Sequence, residues 1–337
     1  MAHDVPGIPD LETLRRWLKD EARVPGRLKA AELIAGGRSN LTYLLDLGDS
    51  TLVLRRPPLG HVLPTAHDMG REYKMLSALT GTDVPVPAPV AFCADAEIVG
   101  APFYLMEHVP GAVLRTADAA RAALSPSDAR ELSKQLVRTL AAIHAADPSQ
   151  IGTPRPGYLP RQLDRWQRQW ELSATREVDG YDALVARLGE GLPSGGEVTL
   201  VHGDFRLDNT IVTLPPPRIA AVVDWEMATL GDPLADLGLT LTYWTLNDES
   251  SALGQPTAAE GFVTGAEFAA EYGKLTGRDI SRMGYYVAFG CFKLAVVLEG
   301  INARYLKHLT VGEGFEREGA AVPVLIARAH AALDGEL

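Results

Sequence analysis

Two short stretches constrain this chain more than any other part of it. They are Val201-His202-Gly203-Asp204-Phe205-Arg206-Leu207-Asp208-Asn209 and Val222-Val223-Asp224-Trp225-Glu226. Each is flanked by β-branched residues that read as short strands, and Pro215-Pro216-Pro217 separates the two strands. Asp204 lies just past an apolar run, Val198 to Val201, where the chain turns outward. Asn209 follows five positions later and Asp224 fifteen after that. Phosphoryl transfer from a Mg-nucleotide needs this set. One carboxylate receives or orients the attacking hydroxyl, while an amide and a second carboxylate hold the metal on the phosphates. A lone His-x-Asp would carry little weight. The full arrangement, followed by Gly231-Asp232-Pro233-Leu234-Ala235-Asp236-Leu237, is highly specific.

The bulk properties narrow the classes. A chain of 337 residues holds one or two domains, and 46% hydrophobic with 22% charged residues is ordinary for a soluble globular protein. The net charge of −11 argues against nonspecific nucleic-acid binding, which needs a basic surface. Two cysteines, Cys93 and Cys291, with no CxxC, cannot build a zinc site. Together with a polar, signal-free first ten residues, they lead us to expect a reduced, cytoplasmic setting. The most apolar run, Met283 to Gly300, contains Lys293 and Glu299 and is short against the roughly 20 apolar residues of a bilayer span. It reads as a buried helix, so no membrane partner is expected. Oligomeric state is not legible.

Along the chain, Asp10 is placed to cap a first helix carrying Leu11, Leu14 and Leu18 on one face. Leu33 to Arg56 alternates as strand, glycine turn and strand, with a third strand at Thr51 to Arg55. A helix is predicted over Asp68 to Leu79. Pro85, Pro87 and Pro89 keep the next segment extended, and Phe92 and Pro102 to Val109 read as two more strands. After Pro110-Gly111 the pattern changes. Ser125-Pro126 opens a helix striped by Leu132, Leu136, Leu140 and Ile143, and another is predicted over Arg161 to Glu177. Asp232-Pro233 is a helix start, and Leu237 onward reads as helical. The predicted architecture is α+β in two lobes, a β-rich one over 1–106 and a mainly helical one over 107–337. The hinge falls near 106–111, with a ligand cleft between the lobes.

Asp204 is the candidate catalytic base, with a turn-capping Asp as the plain alternative. Asn209 and Asp224 are the candidate metal ligands, since Mg²⁺ prefers hard oxygen donors and keeps several waters. Arg206 could reach the transferring phosphoryl group, where charge builds up in the transition state, or form a surface salt bridge. Asp208 is read as facing solvent, His202 as a structural hydrogen-bonding residue, and Asp236 as a brace for the loop. Gly36, Gly37, Arg38, Ser39 and Asn40 form a glycine loop between strands, where N–H groups can approach phosphates. Arg55 is a cation candidate for the α- and β-phosphates, and Glu72 could pair with it. The plain alternative is two unconnected surface charges. Glu107 to Val109 could present backbone groups to an adenine ring. His61, His67 and His144 have no metal-ligand spacing, and His144 reads as a core or capping histidine. Trp166 and Trp170 could wall a substrate, though packing is the stronger reading.

At these residues the chain resembles the aminoglycoside phosphotransferase family, which is built on a protein-kinase-like fold. The resemblance runs from about Ala31 to the end and is strongest from Val201 to Leu237. His-Gly-Asp at 202–204 with Asn209 looks like that family's catalytic loop, and Val-Asp-Trp-Glu at 223–226 like its metal-binding motif. Arg206 to Asn209 and Asp224 to Asp236 are especially similar to a subgroup that includes the kinase-like domain fused to acyl-CoA dehydrogenases. Arg55 stands where kinases of this fold normally have Lys, and Arg206 where the drug-modifying members commonly have His; both departures fit that subgroup. The resemblance implies ATP and Mg²⁺ as cofactors and a small hydroxylated molecule as acceptor, either a hydroxylated metabolite such as a hydroxyacyl thioester or an amino-sugar or amino-alcohol. A non-catalytic nucleotide-binding protein on the same fold is the rival from another class.

Overall fold

A computed structural model describes residues 5–34, 40–59, 67–246, 255–308 and 317–336. The chain divides into two compact units, Met1–Pro110 with Ala220–Glu226, and Gly111–Ile219 with Met227–Leu337. The segment carrying Asp224 therefore groups with the first unit, although it lies more than 100 residues beyond the expected hinge.

In the first unit, Asp10 caps α1 (Leu11–Asp20) by accepting from the N–H groups of Glu12 and Thr13. The strands are β1 (Ala30–Leu33), β2 (Leu41–Asp46), β3 (Thr51–Arg56), β4 (Pro89–Cys93) and β5 (Phe103–Glu107). They form one antiparallel sheet in the order β1-β2-β3-β5-β4. Between β3 and β4 lies α2 (Met69–Leu79), capped by Asp68, and between β4 and β5 the single-turn α3 (Ala96–Val99). Side chains alternate faces along a strand, and this decides the fate of the adjacent arginines on β3. Leu52 and Leu54 join Tyr43, Leu45, Phe103 and Leu105 in a core that buries Leu14 and Trp17 of α1. Arg56, on that same face, is buried with its guanidinium donating to the carbonyls of Gly7 and Val99. Arg55 takes the other face, in register with Tyr104 and beside α2.

The second unit is mainly helical. It holds α4 (Ala117–Ala123), α5 (Pro126–Ala145), α6 (Tyr158–Ser173), α7 (Tyr181–Glu190), α8 (Pro233–Thr245), α9 (Gly265–Thr276), α10 (Met283–Leu306) and α11 (Glu318–Asp334). A short strand pair joins β6 (Thr199–Val201) to β9 (Thr229–Gly231), and another joins β7 (Thr210–Thr213) to β8 (Arg218–Val222), whose last three residues belong to the first unit. Ser125 and Asp128 close a reciprocal capping box at the start of α5, and Leu132, Leu136, Leu140 and Ile143 are fully buried along it. The helix expected over Arg161 to Glu177 instead ends at Ser173. Glu299, buried in the middle of α10, accepts from the N–H of Thr175 at 3.0 Å and from its hydroxyl, and this pulls the chain out of helical geometry. α10 is long and apolar enough to cross a membrane by length and composition, but most of it is buried against α11, α8 and α6. It approaches α8 so closely that a Cβ on Gly238 would overlap the carbonyl of Tyr286. The helices α3, α4 and α7 and the strand β9 were not anticipated; α3, α4 and the three-residue β9 are too brief to show a period.

Candidate active site

In the first unit, the turn after β8 presents Asp224 in the left-handed region, φ +66°, a strained conformation for a residue with a Cβ. Trp225 holds this turn by donating its indole N–H to the Val222 carbonyl at 3.0 Å. Arg55 Nη2 donates to Asp224 Oδ1 at 2.5 Å, while Arg55 Nε lies 3.0 Å from Glu72 Oε2 as an ion pair without hydrogen-bond alignment. The Arg55–Glu72 pairing is thus present, and it is buried rather than on the surface: the Glu72 side chain is 2% exposed. Tyr104 donates to Glu72 at 3.0 Å, and Asn40 Nδ2 donates to Glu72 at 3.1 Å and to Glu226 at 3.0 Å. Burial alone would favour a neutral Arg55, but Glu72 and Asp224 outweigh it and hold the guanidinium protonated above its usual range. Burial pushes the Glu72 carboxyl up, against the pull of Arg55. One guanidinium therefore stands among three carboxylates, Glu72, Asp224 and Glu226, and the cluster is left net negative.

Gly36, Gly37, Arg38 and Ser39 lie outside the described residues. Asn40, expected at the phosphates, is a buried side chain with its amide nitrogen committed between the two glutamates. The N–H of Glu107 donates to the Ala88 carbonyl at 2.9 Å, so of its backbone groups only the carbonyl is left to a ligand. Val109 follows in irregular backbone past the end of β5.

In the second unit, the loop after β6 is tied down from three helices. Asp236, on the first turn of α8, accepts from the N–H of His202 at 2.7 Å and of Gly203 at 2.8 Å. His144 of α5 lies 3.1 Å from the same carboxylate and 2.6 Å from the Tyr272 hydroxyl of α9, so it is a core histidine. Burial would raise the Asp236 pKa; these hydrogen bonds outweigh it and hold it below the ordinary 3.8. Thr240 donates to the Phe205 carbonyl at 3.0 Å, and Lys293 of α10 donates to the Gly203 carbonyl at 2.7 Å. Gly203 itself has φ +80°, and a Cβ there would stand 2.6 Å from the Met227 carbonyl oxygen, so only glycine fits. Within this frame Asn209 Nδ2 donates to the backbone carbonyl of Asp204 at 2.8 Å and to its carboxylate at 2.9 Å. The amide nitrogen is thereby spent, and Oδ1 is the atom Asn209 has left to offer a cation. His202 Nδ1 accepts from the Asp204 N–H at 3.3 Å, as its structural reading requires.

Asp208 does not face solvent. Its side chain is only 12% exposed and grips Arg206 through Nε and Nη2, while Arg206 stacks over the Tyr243 ring at 4.7 Å. The sequence reading missed this because a bidentate pair two residues apart needs an irregular loop, which has no period to read. Arg206 is thus fixed in direction rather than left as a mobile surface cation. Trp170 stacks on Tyr181 at 4.1 Å and is a packing residue. Lys293 and Tyr243 also went unassigned to the site. The usable signal for Lys293 was a lone cation inside an apolar helix, since a buried charge needs a partner.

Among the described residues, no cluster of three or more His, Cys, Asp and Glu side chains forms a metal cage. Each unit offers a hard oxygen donor of the kind Mg²⁺ takes, the Asp224 carboxylate in the first and the Asn209 amide oxygen in the second, and Mg²⁺ commonly needs only one or two protein ligands beside phosphate oxygens and water.

These elements define a protein-kinase-like α+β fold with an antiparallel sheet in its first unit and helices in its second. The profile of the phosphotransferase enzyme family (APH) matches residues 30–278, and the chain belongs to that family. It is 36% identical to mouse acyl-CoA dehydrogenase family member 10 over 80% of this chain and 26% of the relative. It is 36% identical to rat acyl-CoA dehydrogenase family member 11 over 80% of this chain and 36% of the relative. It therefore spans about a quarter to a third of the length of these relatives. A solved Ralstonia eutropha protein described as a candidate aminoglycoside phosphotransferase superposes with TM-score 0.82 at 31% identity, over 97% of this chain and 98% of that one. Aminoglycoside phosphotransferase APH(4)-Ia, solved as a thermostable mutant with ADP and hygromycin B, shares the fold with TM-score 0.63 at 16% identity, over 96% of this chain and 98% of that one.

Proposed function

We propose that this phosphotransferase is an ATP- and Mg²⁺-dependent kinase that phosphorylates a hydroxyl group of a small molecule. The observation that carries the reading is the Asp204–Asn209 pair, held by Asp236 on a loop whose backbone is fixed on both sides. Asp204 would orient the acceptor hydroxyl and receive its proton. Asn209, through Oδ1, and Asp224 would hold the metal, which when bound neutralises phosphate charge. Arg55 would bind the α- and β-phosphates, bidentately and always charged, and Arg206 would face the transferring group. Catalysis of this kind is mostly positioning plus electrostatics, so a rigid loop is what the chemistry needs. The nucleotide complex of the fold relative supports the cofactor assignment.

For the acceptor, the acyl-CoA dehydrogenase relatives favour a hydroxylated metabolite such as a hydroxyacyl-CoA. The test is ADP release from Mg-ATP against a panel of hydroxyacyl-CoAs, sugars, choline-like amines and aminoglycosides, with Asp204→Asn as control. Acceptor-dependent turnover that the variant loses by at least about a hundredfold, with unchanged folding, is expected. Mg-ATP binding without turnover on any acceptor would favour the rival binding protein.

A further inference from the structure

Lys293 contacts the loop, and the kinase reading assigns it no step. It sits half-buried within α10, in the most apolar stretch of the chain, and among the described residues its ammonium makes no ion pair. Nζ donates to the carbonyl of Gly203 at 2.7 Å and lies 5.6 Å from the centre of the Trp166 ring, on α6. Gly203 is also the residue whose N–H is held by Asp236. Its peptide is therefore gripped from both ends, by a carboxylate on α8 and an ammonium on α10, at the position just before Asp204. Such double fixing of a left-handed glycine removes the rotation that would swing Asp204 out of line.

We propose that Lys293 is a positioning residue for Asp204, acting through the Gly203 carbonyl, with the Trp166 ring as the floor that keeps its ammonium in place. The inference rests on the kinase reading for its catalytic consequence, but the loop anchoring stands on the contacts alone. The charged groups facing Lys293 are Asp204 and Asp236, which favour the ammonium, and Arg165, which disfavours it. Burial outweighs them and sets its pKa below the usual lysine range. The ammonium is therefore lost at lower pH than that of an exposed lysine.

The test uses K293M and K293R in the full chain, with two readouts. Hydrogen exchange over 201–209 is expected to speed up by about 10- to 100-fold in K293M, the factor a hydrogen bond from a charged donor contributes. Exchange in α11 should stay within about twofold. Turnover on the acceptor found for the wild type should fall by a similar factor with KM for ATP unchanged, and K293R should restore both. The alkaline limb of wild-type turnover should move to higher pH in K293R, because a guanidinium does not deprotonate there. If K293M does not fold, the K293R pH profile decides, and an alkaline limb identical to wild type overturns the proposal. Unchanged exchange over 201–209 in a folded K293M overturns it too, even if the protein shows no turnover and the kinase reading itself has failed.

Discussion

Asp236→Asn is the sharpest perturbation of the loop frame. The carboxylate accepts three hydrogen bonds with its side chain 1% exposed: His202 N–H and His144 Nε2 on Oδ2, and Gly203 N–H on Oδ1. Asparagine keeps one acceptor. In its better orientation the amide oxygen replaces Oδ2 and the NH₂ opposes the Gly203 N–H, leaving that donor unsatisfied at a cost of about 1–3 kcal/mol. The two remaining bonds lose their charge assistance, about 1 kcal/mol each. The expected loss is about 3–5 kcal/mol, read by equilibrium urea unfolding at pH 7. In a thermal scan this is a fall of roughly 6–20 °C for a unit of this size. The sign with pH follows from the depressed pKa. The wild-type advantage is fully present above the ordinary carboxylate value of 3.8 and is lost as pH falls below it. The deficit of the variant should therefore be level between pH 5 and 8 and shrink in acid. A loss under about 1 kcal/mol at pH 7, or a deficit that persists undiminished at pH 3, would refute the assignment of Asp236 as an ionised brace.

Other consequences are open to direct measurement. Arg55→Met leaves buried carboxylates without their cation and should cost about 3–5 kcal/mol by urea unfolding. That deficit should widen as pH rises, because burial already raises the Glu72 carboxyl and loss of Arg55 raises it further. Gly203→Ala forces a Cβ into a left-handed residue against the Met227 carbonyl, so a loss of at least about 2 kcal/mol is expected; a variant as stable as wild type would mean the loop is not as tightly framed as drawn. Burial pushes the Cys291 thiol up to about 11 and raises Cys93 as well. Thiol labelling at pH 8 should be at least about a hundredfold slower in the native protein than in urea for both residues.

Much of the fold is local in origin and was readable on that account. Asp10, Asp68, Ser125 and Asp232 are helix caps because a short side-chain oxygen beside a free N–H turn is a local interaction. The strand alternation around Leu52 to Arg55 and the stripe of α5 are likewise visible as periods of two and of 3.6. What failed were features decided by partners distant in the chain. α6 stops at Ser173 because of Glu299, which lies 124 residues away from Thr175. Asp208 turns inward because Arg206 is already stacked on Tyr243.

The sequence by itself determined the chemistry on offer: an Asp, an Asn and a second Asp at fixed spacing, on loops at the ends of short strands. The tertiary structure decided what each of the two adjacent arginines meets. Arg55 and Arg56 are chemically equal, and the pleat sends one to Glu72 and Asp224 and the other to backbone carbonyls on the opposite face. It likewise decided that a lysine in the most apolar helix would reach a glycine carbonyl 90 residues earlier. Burying a charge is costly unless a partner meets it, and where that partner lies is a property of packing rather than of any stretch of sequence.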